Sequence, residues 1–387
     1  MDFETIVLMG LVLVVLATAT GVCAFLRYFG GNAVDPALME RFMARLRAWW
    51  LLFAALSGAF LLGKGVAVVL FGLLSFWALR EFISVTPTRL SDHRALFWVF
   101  FVFLPLQFVL VGLGLYDLYV TLIPVYALLL IPARVALSGD TTRFLERTAK
   151  IQAGLLLCVY CLSFAPAILS LDWPDSSQLA EPSMPKPSLE ELVFRSPATS
   201  DALPNAVVDQ SSPASQILLA AGADGPPRLT SAAAAGHFHT LALTRNKSWE
   251  NARLLLVFVL LVQLSDVLQY GFSKLLRGHL VAPSIHPTRT WEGFAAGTAC
   301  VVLIGTALWF ATPFRYWWQA SVTAAVTAGM AFAGAMTMSA VKRDRGVRDY
   351  GVLIEGHGGV LDRIDSLCFA APVFFHVSRY FLCWPLG

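Results

Sequence analysis

Charge is scarce in this chain. Asp, Glu, Lys and Arg make up 14% of its 387 residues, against about 25% in a soluble domain, so a water-soluble globule is excluded. Cysteine is scarce as well, and six thiols in so long a sequence exclude a disulfide-stapled secreted scaffold. Neither sign of charge dominates: 28 Lys and Arg stand against 25 Asp and Glu, which gives no argument for a nucleic-acid partner. What is abundant is apolar. With 57% hydrophobic residues and a mean hydropathy of +0.67 the chain cannot be disordered, and a polytopic membrane protein remains.

A hydrocarbon core about 30 Å thick needs around 20 apolar residues at about 1.5 Å each. That template fits about ten times, near 4–26, 48–62, 66–82, 96–114, 117–135, 151–171, 252–272, 293–312, 317–339 and 365–384. The second and third stretches are short and also suit a re-entrant pair. The first begins MDFETIV, without a basic n-region or a small-residue cleavage site, so it reads as a retained helix. The expected fold is all-α: an N-terminal transmembrane bundle at 1–171, an extramembrane insert at 172–250 and a C-terminal transmembrane catalytic region at 251–387. Alternating sides from an external N-terminus gathers most of the cationic residues in the loops near 27–47, 80–94, 134–150, 274–289 and 342–363. The positive-inside rule makes that face cytoplasmic.

The insert contains nine of the 20 prolines and much Ser and Ala, as in DWPDSSQLAEPSMPKPS, and reads as a linker. Its His237-Phe238-His239 lacks the carboxylate or thiol company of a metal site. Two other motifs fail. Residues 58–65, GAFLLGKG, match a P-loop except at the last position, where Gly65 replaces the metal-binding hydroxyl; a turn between spans is the better reading. Cys158 and Cys161 have redox spacing but lie inside an apolar run without a second pair, so they read as packing residues. Gly293 and Gly297 form a small-xxx-small face that predicts close helix packing.

Chemistry concentrates in the last third. In LLLVFVLLVQLSDVLQYGF, Gln263, Asp266, Gln269 and Tyr270 share one helix face. A carboxylate in a bilayer costs about 2.5 to 3.5 kcal/mol even on lenient scales, so Asp266 is expected to pair with a cation or metal. A basic loop follows, with Lys274, Arg277, His279, His286, Arg289 and Thr290. Two spans later, on the same side, SAVKRDRGVRDYGVLIEGHGGVLDRID interleaves Lys342, Arg343, Arg345, Arg348 and Arg363 with Asp344, Asp349, Asp362 and Asp365. Cations for phosphate oxygens, carboxylates for a divalent metal and glycines for close backbone approach together suit a polyphosphate with magnesium. Water-soluble phosphates would enter from the cytoplasm and a lipid sideways between helices.

Residues 339–365 resemble the signature of the phosphatidate cytidylyltransferases, the CDP-diacylglycerol synthases. The resemblance rests on Ser339-x-Val341-Lys342-Arg343, then Arg348-Asp349, Gly351, Ile354, His357-Gly358-Gly359, Val360 and Asp362-Arg363-Ile364-Asp365. The stretch from Ser265-Asp266 through Gln269-Tyr270 to Thr290-Trp291-Glu292-Gly293 is similar to the family's second block, and FGLLSFWALREF at 71–82 is a weaker echo. Arg348 and Arg289 stand where the family has Lys, and Glu355 where it has Pro or Gly. Arg for Lys keeps the charge but replaces a compact ammonium with a planar fork.

The resemblance implies CDP-diacylglycerol and pyrophosphate made from CTP and phosphatidate. It further implies one or two magnesium ions on Asp266, Asp349 and Asp362, with an additional monovalent cation left open. Lys342, Arg343, Arg348, His357, Gly358 and Gly359 would hold the nucleotide phosphates, with Lys342 also counted as catalytic. Lys274 and Arg289 would hold the lipid phosphate, and Arg363, Tyr270 and Ser339 would orient. The expected setting is the bacterial inner membrane with the site facing the cytoplasm; partners are CTP and membrane lipid, and a homodimer is left open. Two rivals are carried: a CTP-dependent kinase or cytidylyltransferase of another lipid, such as a polyprenol, and a transporter of an anionic solute. A transporter would show two repeated halves, and no second copy of the SDVLQY or HGG block is found.

Overall fold

The structure is a computed structural model that describes residues 3–29, 63–86, 89–172, 231–276, 278–351 and 359–383, with scattered helical positions between 43 and 58. Among the described residues nine helices are long and apolar enough to cross a membrane. They are α1 (Phe3–Phe29), α2 (Lys64–Val85), α3 (His93–Leu113), α4 (Tyr116–Ala136), α5 (Phe144–Ser170), α6 (Ser231–Leu276), α7 (Trp291–Ala307), α8 (Trp317–Arg345) and α9 (Leu361–Cys383). In α6 the membrane-length part is Trp249–Leu276. The expected span at 48–62 falls mostly outside the described residues. Its neighbour at 66–82 lies in α2, whose 22 residues suffice for a full crossing.

Residues 1–173 and 246–387 form one compact unit, and residues 174–245 are grouped apart. Helices dominate the first unit because lipid offers no hydrogen bonds to an open backbone. Some polar side chains inside it pair between helices. Ser75 donates to the Cys158 carbonyl at 2.7 Å, and Gln107 donates to the Tyr119 carbonyl at 2.9 Å and the Ser163 hydroxyl at 3.0 Å. Cys158 is thus buried in helix packing, as its apolar surroundings suggested.

Small residues set the closest approaches. A Cβ on Gly297 would lie 2.6 Å from the Cα and N of Gln269, and one on Gly293 would lie 2.5 Å from the Cα and N of Ser273. Helices α6 and α7 therefore touch along the expected glycine face. On α8, Gly334 meets the Asp365 carbonyl in the same way at 2.9 Å.

Two features carry no clear sequence signal. The basic loop after α6 contains a short antiparallel hairpin, β1 (Leu280–Ala282) with β2 (His286–Thr290), pairing Leu280 with Thr290 and Ala282 with His286. On the N-terminal side Arg147, buried at the start of α5, directs its Nε to both oxygens of Asp92 at 3.0 Å and its Nη1 to Asp140 at 2.9 Å. This clasp ties together the loops that flank α3 and α4.

Candidate active site

The site forms where α6, the hairpin, α8 and α9 meet. Thr290 ends β2 and starts α7: its hydroxyl accepts the Gly293 N–H at 3.1 Å, and its own N–H donates to Ser273 at 3.2 Å. A capped helix start of this kind holds the preceding residue, Arg289, firmly. The Arg289 guanidinium is buried, donating to Gln269 Oε1 at 3.2 Å and pairing with Asp266 at 3.3 Å. Gln269 is anchored in turn by donating to Ser265 at 2.9 Å and Thr298 at 3.2 Å. Asp266 and Gln269 of the stripe are therefore part of a built network, and Asp266 has the cationic partner that a carboxylate in an apolar span requires.

The second half comes from α8 and α9. Asp362, in the first turn of α9, accepts Lys342 at 2.9 Å on one oxygen and the N–H groups of Tyr350 (3.0 Å) and Gly359 (2.9 Å) on the other. A carboxylate has about four lone-pair directions, so room for a further donor or a metal remains. Tyr350 is buried and donates its hydroxyl to the Met338 carbonyl at 2.9 Å; burial, with the charges of Asp362 and Asp365, raises its pKa and keeps that donor protonated. Asp365, one helical turn beyond Asp362, lies in electrostatic range of Asp266, Asp362 and Lys342. It is a site residue that the sequence reading left out of its ligand set. Its spacing from Asp362, three residues on a helix that starts at the membrane surface, was the available signal.

Cations also converge at the hairpin. Half-buried His286 feels Arg289, Lys342 and Arg343 together, and Arg343 ties the hairpin to α8 by donating to the Ile285 carbonyl at 3.3 Å. Burial first, then those three charges, push the His286 pKa down to about 4. In the unfolded chain the value is near 6.5, so the unfolded state binds more protons between these limits. The stability contributed by keeping His286 neutral is present above about pH 6.5 and is lost as pH falls through about 4. His286→Gln should therefore flatten the acid side of the melting-temperature profile, measured in detergent without phosphate.

The other expected residues are placed as follows. Asp349 and Arg348 are exposed on the turn after α8. Lys274 is exposed, with its ammonium over the Tyr270 ring at 5.7 Å. Ser339 donates to the Ala335 carbonyl within its own helix at 2.7 Å, and Arg363 is half-buried at the start of α9. His357 and Gly358 lie outside the described residues. Among the described residues no three His, Cys, Asp or Glu side chains are arranged closely enough to hold one metal ion. The gathering of Asp266, Asp349 and Asp362 is thus not seen there: Asp266 and Asp362 each pair with a cation, and Asp349 stands outside.

A model of the cytidylyltransferase family matches residues 43–381. An uncharacterized protein of Escherichia coli (strain K12), YnbB, is 27% identical over 341 residues, covering 87% of each chain. Phosphatidate cytidylyltransferases of Staphylococcus epidermidis (strain ATCC 35984 / DSM 28319 / BCRC 17069 / CCUG 31568 / BM 3577 / RP62A) and Staphylococcus aureus (strain COL) are each 34% identical, over 125 and 126 residues. Those two matches cover 32% of this chain and 48% of each relative, so the chain spans about half the length of the staphylococcal enzymes it resembles.

Proposed function

This chain belongs to the cytidylyltransferase family, and from that premise we propose that it forms CDP-diacylglycerol and pyrophosphate from CTP and phosphatidate at the cytoplasmic membrane surface. The observation that carries the reading is the paired constellation of Arg289 with Asp266 and Lys342 with Asp362, with Asp365 beside them. It combines fixed cations for phosphate groups with carboxylates for a hard cation.

In the proposed reaction a phosphate oxygen of the lipid attacks the α-phosphorus of CTP in line. The new P–O bond forms as the bond to the pyrophosphate oxygen breaks. The nucleophile is already ionised, since the second pKa of a phosphate monoester is near 6, and no side chain has to remove a proton. Arg289, preorganised by Gln269, would hold the lipid phosphate. Lys342, Arg343 and Arg348 would hold the triphosphate, and Arg289 and Lys342 can turn to phosphate oxygens without desolvating a new charge. The donor chemistry fits magnesium: Asp266 and Asp362 present hard oxygen ligands, Asp365 lies beside them, and Asp349 would join from the exposed turn. Bound magnesium would supply neutralisation of the phosphate charge that otherwise keeps two anions apart.

A second reading, transfer to a different lipid phosphate, draws on the extent of the similarity. The relatives named as phosphatidate cytidylyltransferases match only 32% of this chain, whereas the match to YnbB covers 87% of it. One assay separates the readings. Protein in mixed micelles with labelled CTP is expected to release pyrophosphate and form a labelled CDP-lipid only when phosphatidate and magnesium are both present, with chelation removing the signal. Labelled product from a polyprenyl phosphate but not from phosphatidate would reassign the substrate, and a phosphorylated lipid with free CDP would make the protein a kinase.

A further inference from the structure

Glu81 is a carboxylate near the C-terminal end of the apolar helix α2, in the half of the chain that holds none of the expected site residues. It is buried, and both its oxygens are used: Oε1 accepts the Val360 N–H at 2.9 Å and Oε2 the Leu361 N–H at 2.8 Å. These are among the donors that a helix start leaves without intrahelical partners. A negative charge there also complements the positive end of α9. The α9 start has Gly359 and Val360 where a capping Ser, Thr, Asp or Asn would serve, so the acceptor comes from α2 instead.

Glycines make room for this contact. A Cβ on Gly359 would sit 2.3 Å from Glu81 Oε2, and one on Gly351 would sit 2.8 Å from Oε1. Directly beside them Asp362 accepts the Gly359 and Tyr350 N–H groups, so two carboxylates from distant segments grip the same short piece of backbone. One grip comes from the candidate site itself. The other sets where that site starts.

We infer that Glu81 is a positioning residue for the transfer site, fixing the first turn of α9 and thereby the reach of Asp362 and Asp365. The inference rests on the proposed cytidylyl transfer, and the same geometry predicts an effect on turnover rather than on lipid binding. It also means that the N–H groups of Val360 and Leu361 are already satisfied within the chain and are not free for a nucleotide phosphate.

The test uses the full-length protein in phosphatidate micelles with magnesium and CTP, and amide hydrogen exchange of the peptide covering residues 359–365. Glu81→Ala should lower kcat per folded molecule by about 100-fold, the scale of a misplacement near 1 Å, while KM for phosphatidate changes by less than about twofold. Glu81→Gln, which keeps one acceptor, should fall between Ala and the native protein. Exchange at 359–365 should accelerate in the same order, with the body of α9 unchanged. If Glu81→Ala fails to fold, Glu81→Gln and Gly359→Ala carry the test, the latter by driving a methyl into the carboxylate. A native kcat per folded molecule, or unchanged exchange at 359–365, overturns the inference. Should the native protein make no CDP-lipid from phosphatidate, the substrate reading fails separately and the exchange comparison alone decides Glu81.

Discussion

Asp362→Ala is expected to lower CDP-lipid formation by at least about 10²–10³-fold, the range for loss of one preorganised electrostatic group. Three donors converge on this carboxylate: the Lys342 ammonium and the N–H groups of Tyr350 and Gly359. Its removal frees Lys342, releases both backbone segments and deletes a proposed oxygen ligand for magnesium. Its contacts lie at the ends of α8 and α9 and not along their apolar lengths, so the protein should still elute as a folded species in detergent. Asp349→Ala is the informative companion. Asp349 is exposed and outside the cluster, so its loss cannot disturb either ion pair, and a comparable fall in activity would show that its turn closes on the substrates. Activity near the native level would remove Asp349 from the proposed metal ligands and leave Asp365 as the candidate third carboxylate.

Gly297→Ala is expected to lower activity by a different route and to a smaller extent. The added Cβ would lie 2.6 Å from the Gln269 Cα and N, and backbone in the middle of a helix cannot step aside as a flexible side chain can. Overpacking of this kind costs about 1–3 kcal/mol. Here the displaced residue is also the one that holds Arg289 against Asp266. Activity should therefore fall by about tenfold or more, one factor of ten for each 1.36 kcal/mol of lost transition-state binding, together with a lower melting temperature. Gly329→Ala on α8, where a Cβ meets nothing within 4 Å, is the control and should leave both unchanged. Native activity in Gly297→Ala would mean that α6 and α7 can separate without consequence for the site.

How much of this was legible follows from what imposes each feature. The spans were readable because a bilayer demands a fixed length of apolar helix wherever the chain crosses it. That Asp266 would need a cation was readable because charge in an apolar span demands a partner, but not that the partner is Arg289, which the resemblance assigns to the lipid phosphate. The Gly293/Gly297 face was readable because close packing demands small residues. The hairpin was not. Its strands are three and five residues long and are joined through Pro283, Ser284 and Ile285, which is too short for alternation to appear. Asp365 was visible as a residue but not as a member of the cluster, since only the direction of α9 turns it toward Asp266. Glu81 lies in the stretch 71–82 that weakly echoes the family, but its role was hidden most deeply. Its partner N–H groups lie 279 and 280 residues along the chain, and no local pattern reports which helix will pack against which.

The long-range grip of α2 on α9 bears on what can be excised. The stretch shared with the staphylococcal enzymes is about a third of the chain, and a fragment limited to α6 through α9 would carry Asp266, Arg289, Lys342 and Asp362. It would nevertheless present two bare amide hydrogens at the edge of a lipid phase, just before the aspartate on which the reaction is proposed to turn. Such a fragment is expected to be inactive alone and to need a separately made N-terminal piece carrying Glu81 to restore it.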